Sequence, residues 1–301
     1  MAGSSMRGQT EKILAKARQM APLSHSIVKL MQMIDDGRHG AHEVARVVSH
    51  DEVLAAGVLR VVNSTAFGLK QKITDVERAV GYLGDKMVLG IAVGSGLTVF
   101  DRELEGYCAS RGALWKHSLC AAIAAREISA YAVIPVKPGE AFTAGLIHDI
   151  GKVVISGFLQ QKIDWNRKRD GLEEKPCGNR ADFVKFERQL LGTDHCEIGA
   201  AVAVRWNLPA QLVSLLQNHH EPSRAGENER VMAYVVHLAD VVAMMAGHGT
   251  GVDSFRYVLD PLYKEYVKIN RKQIESIVFA TGLDFERVRE GFVSNKDGGG
   301  G

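Results

Sequence analysis

The spacing of apolar residues in this 301-residue chain follows the helical period almost throughout, and strand-like alternation is scarce. Ile27, Leu30, Met31 and Ile34 mark one amphipathic face. Val44, Val47 and Val48 mark a second, and Val53, Leu54, Val58, Leu59 and Val62 a third. Residues three and four apart share one side of a helix, so each set predicts an element with one buried stripe. Thr74 followed by Glu77 has the spacing of a capping box, and Asp194 with Glu197 repeats it. Gly81 and Gly84 lie where the first of these helices would stop. Pro209 sits early in the next predicted helix, where its missing N–H is tolerated. The chain has 7 prolines, mostly at such boundaries. The reading is an all-α protein.

Composition limits what such a bundle can do. Hydrophobic residues make up 46% of the chain, enough for a sizeable core, and the formal charge is +2 with both signs mixed. That is no electrostatic footprint for nucleic acid. The basic run Arg167-Lys168-Arg169 beside Trp165 is short and is followed by Glu173 and Glu174, so it reads as a solvated loop. The 4 cysteines form no Cys-x-x-Cys pair, which argues against a disulfide framework and against a thiolate zinc site. Met1 to Gln9 is polar, without an apolar signal core. No apolar run suggests a membrane span, so a cytoplasmic protein is expected. A change of character near Asp101 to Gly106 suggests a division. The expected segments are a disordered stretch 1–11, an N-terminal helical subdomain 12–106, a ligand-bearing subdomain 107–249, C-terminal helices 250–292 and a disordered tail 293–301. The segment from about Lys162 to Arg180 reads as a polar excursion between helices.

The chemistry lies in histidines and aspartates set among apolar neighbours. His148 and Asp149 stand side by side in Ala144-Gly145-Leu146-Ile147-His148-Asp149-Ile150-Gly151-Lys152. Burying such groups is costly unless something satisfies them. His117 lies early in an alanine-rich helix, His195 starts another, and His219 and His220 end a third. Asp240 stands inside Val235-Val236-His237-Leu238-Ala239-Asp240-Val241-Val242-Ala243, where a carboxylate must pair, protonate or bind a cation. His237, three residues earlier, shares its face, and mutual pairing of the two is the plainer alternative. Of the 11 histidines, His25, His39, His42 and His50 have polar neighbours and read as surface or capping residues. His117, His148, Asp149, His195, His219, His220 and Asp240 sit on different helices or turns, as converging ligands in a bundle must. Seven such groups exceed the needs of one octahedral ion and suit two sharing a carboxylate, roughly 3.5–4 Å apart. Imidazole with carboxylate favours iron, manganese, zinc or nickel, so one or two divalent transition metals are expected.

This set resembles the HD superfamily of helical, metal-dependent phosphohydrolases and their relatives. It is most similar to the HDOD branch of that superfamily. The resemblance rests on Arg60-Val61-Val62-Asn63-Ser64-Thr65-Ala66-Phe67-Gly68, Ala79-Val80-Gly81-Tyr82-Leu83-Gly84 and Trp115-Lys116-His117-Ser118. It continues through Gly145 to Lys152, Gly192-Thr193-Asp194-His195, Arg205-Trp206-Asn207-Leu208-Pro209 and His219-His220-Glu221-Pro222. It covers roughly Leu14 to Met245 and implies a multi-helix HD-superfamily bundle with an N-terminal helical subdomain. HDOD domains are associated with bacterial signalling and regulation. The ligand order also looks like that of HD-GYP phosphodiesterases, which hydrolyse cyclic di-GMP. By that similarity His117, His148, Asp149 and Asp240 would hold one metal. Asp149 would bridge to a second, held by His195, His219 and His220. Lys152 would approach a phosphate. His237, on the helix face of Asp240, is expected from that spacing to support the ligands from outside. The Gly-Tyr-Pro element that follows in HD-GYP proteins is absent after His219-His220-Glu221-Pro222-Ser223-Arg224-Ala225-Gly226, which argues against cyclic di-GMP as substrate.

Two functions follow. One is a regulatory domain with a signalling protein partner or a nucleotide or phosphate ligand, in which metal is a structural or sensing element. The interruption of an apolar helix at Asn63-Ser64-Thr65 supports it, although capping by Asn63 is the simpler explanation of that turn. The other is an active metal-dependent phosphohydrolase, with Lys152 stabilising developing charge and Arg205 or Arg224 assisting. A homo-oligomer is compatible with either.

Overall fold

Short polar caps start the helices and apolar stripes pack them together. The computed structural model describes residues 2–36, 38–63, 69, 71–96, 102–170 and 182–293. In the N-terminal part the helices are α1 (Ala2–Arg18), α2 (His25–Asp36), α3 (Ala41–Ser49), α4 (Glu52–Val62), α5 (Val76–Leu83) and α6 (Asp85–Gly96). Then come α7 (Ala113–Ile128), α8 (Pro138–Ile147), α9 (Gly151–Asp170), α10 (Phe183–Leu191), α11 (His195–Arg205) and α12 (Ala210–Asn218). The last are α13 (Arg230–Met245), the single turn α14 (Tyr263–Tyr266) and α15 (Arg271–Val293). Among the described residues there is no strand, only the isolated bridges Leu104–Ala109 and Ala132–Val267. The all-α expectation therefore holds.

Local details follow the sequence with some shifts. Asp194 caps α11 by accepting a hydrogen bond from the Glu197 N–H, 2.9 Å. At α5 the cap is Asp75 rather than Thr74, accepting from Glu77 and Arg78 N–H groups. Pro209 is itself the N-cap of α12. Asn63 caps α4 and does more. Its amide donates to the Leu59 and Ile73 carbonyls and accepts from the Ile73 N–H, clamping the two ends of the following loop. Ser64, Thr65, Ala66, Phe67 and Gly68 of that loop lie outside the described residues. Ile27, Leu30, Met31, Val44, Val47, Val48, Leu54, Val58 and Val62 of the expected stripes are buried, Leu59 is partly buried, and Val53 is exposed at the start of α4.

One continuous apolar core runs from Ile13 through Leu54, Val88, Ile147 and Ile198 to Ala243. It crosses the division expected near 101–106, because α6 packs on α8 and α1 on α11. A smaller cluster joins α7, α8 and α13 to α14 and α15. Helix α1 begins at Ala2, so the segment expected to be disordered through residue 11 is helical. Likewise α9 continues to Asp170, which places the basic run within a helix rather than a loop. The remainder of that polar excursion, 171–181, and the tail 294–301 lie outside the described residues. The span Pro138–Asn166 is long and apolar enough by composition to cross a membrane, contrary to the sequence reading. Its most apolar window is 83% buried within the bundle, where α8 and α9 are core elements.

Candidate metal centre

Two glycines of the segment 144–152 set the geometry. A Cβ on Gly145 would lie 2.8 Å from the Ala121 carbonyl oxygen, so α8 can approach α7 only with glycine there. A Cβ on Gly151 would lie 1.9 Å from the His195 carbonyl oxygen, so the starts of α9 and α11 touch backbone to backbone. The first approach brings His117 to His148, and the second brings His195 to Asp149.

The residues expected to be ligands converge. His117, His148, Asp149, His195, His219 and Asp240 are each at most 2% exposed, and the His220 side chain is 6% exposed. Nε2 atoms of His117 and His148 are 3.3 Å apart. Asp240 Oδ1 lies 3.0 Å from His117 Nε2 and 3.8 Å from His148 Nε2. On the other side, His195 Nε2 is 3.1 Å from His220 Nε2. Asp149 stands between the two groups. Its Oδ2 faces His117 and His148 at 3.5 and 3.4 Å, and its Oδ1 faces His195 and His219 at 3.4 and 3.7 Å.

The outer nitrogens fix the imidazole tautomers. Nδ1 of His117 donates to the His248 carbonyl, that of His148 to Gly145 and that of His219 to Leu216, at 2.7, 2.8 and 2.9 Å. His195 Nδ1 donates to Glu187 Oε2 at 2.7 Å. Each of these four rings, when neutral, then presents a bare Nε2 to the centre. Bare nitrogens 3.3 Å apart repel unless a proton or a cation lies between them. Both oxygens of Asp149 are buried without an aligned hydrogen bond. The close Lys152 Nζ contact to Oδ2, 2.7 Å, is an ion pair.

Titration tendencies agree with a centre that draws positive charge. Burial would raise the Asp149 pKa, but Lys152 and the surrounding imidazoles hold it well below the usual carboxylate range. Burial likewise opposes ionisation of Asp240, and His117 and His148 outweigh it. Burial lowers His148, and burial with His219 and His195 lowers His220 much further, keeping both rings neutral. For His117 burial is overcome by Asp240, and for His195 by Cys196 and Glu187, so both are raised. A divalent cation supplies that positive charge without protonating its ligands. The donor set, the tautomers and the orphaned carboxylate all fit such ions. Two groups of ligand atoms, His117-His148-Asp240 and His148-Asp149-His219, each lie within 4.8 Å.

Lys152 is placed differently from the expectation that it approaches a phosphate. It is 1% exposed. Its ammonium contacts Asp149, Asp253 Oδ2 at 2.6 Å and Thr250 Oγ1 at 3.1 Å. His237 does not pair with Asp240. Its Nδ1 donates to the His219 carbonyl and its Nε2 accepts from the Asp260 N–H, so it steadies the turn that carries His219. Of the polar-set histidines, His42 is exposed beside Glu77, His50 bonds the Arg46 carbonyl and His25 is exposed at the start of α2. His39 is half-buried against Asp85. Among the described residues Arg205 bonds the Arg18 carbonyl and Arg224 pairs with Glu221.

Sequence reasoning missed three contributors. Glu187 is fully buried and binds the backbone N–H and Nδ1 of His195 and the hydroxyl of Tyr107. Its signal was its place between Phe183 and Leu191 at four-residue steps along the buried face of α10. The segment after Gly247 folds across the centre. It supplies the His248 carbonyl, Thr250 and Asp253, and it stacks the Tyr257 ring on His220 with centroids 3.9 Å apart. Cys196, set aside for want of a Cys-x-x-Cys partner, lies among His195, His219 and His220.

A helical bundle with this His-Asp centre defines the class, and comparison with known families gives the narrower assignment. The HDOD domain model matches residues 20–222. The chain belongs to the HDOD domain family. A Treponema pallidum (strain Nichols) protein described as uncharacterized is 23% identical over 239 residues, 77% of this chain. The chain spans only 44% of the length of that relative. An HDOD domain protein of unknown function from Geobacter sulfurreducens superposes with a TM-score of 0.64 at 21% identity, covering 94% of this chain and 96% of its own. A Shewanella amazonensis SB2B protein described as a "Putative metal-dependent phosphohydrolase" gives 0.64 at 15% identity, covering 97% and 100%. At these identities the likeness concerns the fold.

Proposed function

We propose that this chain is a bacterial HDOD regulatory domain that works in the cytoplasm and whose HD-type centre holds one or two divalent transition metals as a structural or sensing element. The observation that carries this reading is the closure of the centre. Every expected ligand side chain is at most 6% exposed. The lysine expected to meet a phosphate is instead held by two carboxylates. His117, His148 and Asp240 would hold one ion, and His195, His219 and His220 the other, with one Asp149 oxygen turned to each. A bound divalent cation supplies Lewis acidity and fixed positive charge. The chain's own residues hold imidazole tautomers through outer acceptors, exclude water and keep both carboxylates ionised. The signal would be read by a protein partner or a nucleotide or phosphate ligand, and self-association into a homo-oligomer is compatible with this role.

The second reading is a metal-dependent phosphohydrolase, the activity named for the Shewanella neighbour. The position of Asp149 between two ligand groups favours it, since dinuclear hydrolytic sites share a bridging carboxylate. A screen of the metal-loaded protein against phosphomonoesters, nucleotides and cyclic dinucleotides separates the two. The regulatory reading predicts no turnover. Turnover that disappears in His148→Ala and Asp149→Ala would establish the enzyme instead.

A further inference from the structure

We infer that Cys196 is a thiolate ligand in the half of the centre formed by His195, His219 and His220. The inference rests on the metal reading above and adds a ligand that makes the two halves chemically different. Cys196 is 2% exposed. Its Sγ lies 3.6 Å from His195 Nε2 and 4.0 Å from His219 Nε2. One donor atom from each of His195, Cys196, His219 and His220 falls within 4.8 Å of the others.

Two of these distances match the edges of a tetrahedral shell, and the third, from Cys196 to His219, is longer. Zinc–nitrogen and zinc–sulfur bonds of about 2.0–2.1 and 2.3 Å imply edges of about 3.5 Å from nitrogen to sulfur and about 3.3 Å between nitrogens. The observed edges include 3.6 Å for Cys196 with His195 and 3.1 Å for His195 with His220. A second observation points the same way. His195 and His219 commit their Nδ1 protons to Glu187 and to the Leu216 carbonyl, so both bare Nε2 atoms and the sulfur turn toward one space. Asp149 Oδ1, buried and without a hydrogen bond, faces the same space at 3.4 and 3.7 Å from the Nε2 atoms of His195 and His219. A thiol offers one weak proton to this cluster of acceptors, whereas a cation satisfies them together.

The consequence is division of labour. Three imidazoles and a thiolate, beside the Asp149 oxygen turned to them, give this half a sulfur donor that the other half lacks. Thiolate selects zinc, iron or cobalt over magnesium, calcium or manganese. The half built from His117, His148 and Asp240 keeps nitrogen and oxygen donors and a wider choice of metal.

The test uses the full chain, stripped with a chelator and reloaded with cobalt(II). A near-ultraviolet thiolate-to-cobalt charge-transfer band should accompany the visible ligand-field bands. Cys196→Ser should lose the charge-transfer band and retain ligand-field absorption from the other half. Ligand-field bands without charge transfer in the unaltered protein, or a charge-transfer band that survives Cys196→Ser, would overturn the assignment while leaving metal binding intact. Failure to retain cobalt at all would remove both the assignment and the reading beneath it. X-ray absorption of the zinc-loaded unaltered chain decides the matter even if the serine variant does not fold. A sulfur shell at about 2.3 Å supports the ligand, and nitrogen and oxygen neighbours alone refute it.

Discussion

Glu187→Gln probes the centre from outside its ligands. The carboxylate accepts from the His195 N–H at 3.0 Å, from His195 Nδ1 at 2.7 Å and from the Tyr107 hydroxyl at 2.5 Å. Both His195 bonds end on the same oxygen, so a glutamine carbonyl can keep them, and the Tyr107 hydroxyl can rotate to accept from the amide. What is lost is charge. Hydrogen bonds to a charged acceptor contribute about 1.5–3 kcal/mol and neutral ones about 0.5–1.5. Three bonds that each lose a charged partner therefore cost about 3–4.5 kcal/mol. The same weakening makes His195 Nε2 a poorer donor to a metal. Loss of such an outer partner typically lowers metal affinity about 10–100-fold. Competition against a chromophoric chelator measures this, with Tyr107→Phe as the control that removes one bond and leaves the His195 contacts in place. The expected order is unaltered protein, then Tyr107→Phe, then Glu187→Gln. A Glu187→Gln protein that holds metal as tightly as the unaltered chain would refute the claim that His195 is a ligand oriented by Glu187.

Other outcomes follow from the same geometry. Gly151→Ala places a methyl 1.9 Å from the His195 carbonyl oxygen, and overpacking of this kind costs about 1–3 kcal/mol or more. Chemical denaturation should show that loss, and a neutral result would contradict the backbone contact between α9 and α11. Lys152→Met leaves Asp149 and Asp253 without their buried cation, a change that typically costs about 3–5 kcal/mol. An unchanged midpoint would show that the pair is not formed. The Lys152 pKa is raised in the fold, where burial opposes the charge and Asp149 and Asp253 outweigh it. Its stabilisation is therefore full below the unfolded lysine value of about 10.4 and fades as pH rises beyond it. Thermal melts at alkaline pH should show a drop in the unaltered chain that Lys152→Met lacks. In the metal-free fold His219 is pushed up to about 10, because Cys196 and Asp149 outweigh the effect of burial. Metal must displace such protons, so affinity should rise with pH and calorimetry should detect proton release. Loading that is independent of pH between about 5 and 8 would refute this.

The converging cluster was legible in sequence because each member is a polar group stranded in an apolar helix or at its end, as Asp240 is between Ala239 and Val241. The all-α fold was legible from helical periodicity. Residues whose meaning depends on distant chain were not. Lys152 follows a tight turn, and only Thr250 and Asp253, 98 and 101 residues away, determine where its ammonium goes. Glu187 looks like one charge among several in Lys185-Phe186-Glu187-Arg188, yet it sits on the buried side of α10 while Arg188 reaches Asp194. Cys196 has no spacing motif at all, and its role arises from the convergence of α11 with the end of α12. His237 shares a face with Asp240, but the turn at His219 and the Asp260 N–H draw its ring away. The glycines between 247 and 251 allow the chain to lie against Tyr107, where the Val252 N–H meets a carbonyl at 2.8 Å.

Elemental analysis of the purified full chain tests the central claim most directly. After chelation and reloading with zinc, iron or manganese, the unaltered protein should retain about two ions per chain, the complement of two ligand groups sharing a carboxylate. Asp149→Ala, which removes the shared carboxylate, should lower that number. Retention of less than about one ion under every loading condition would contradict the account, and the buried histidines and aspartates would then be held by protons alone.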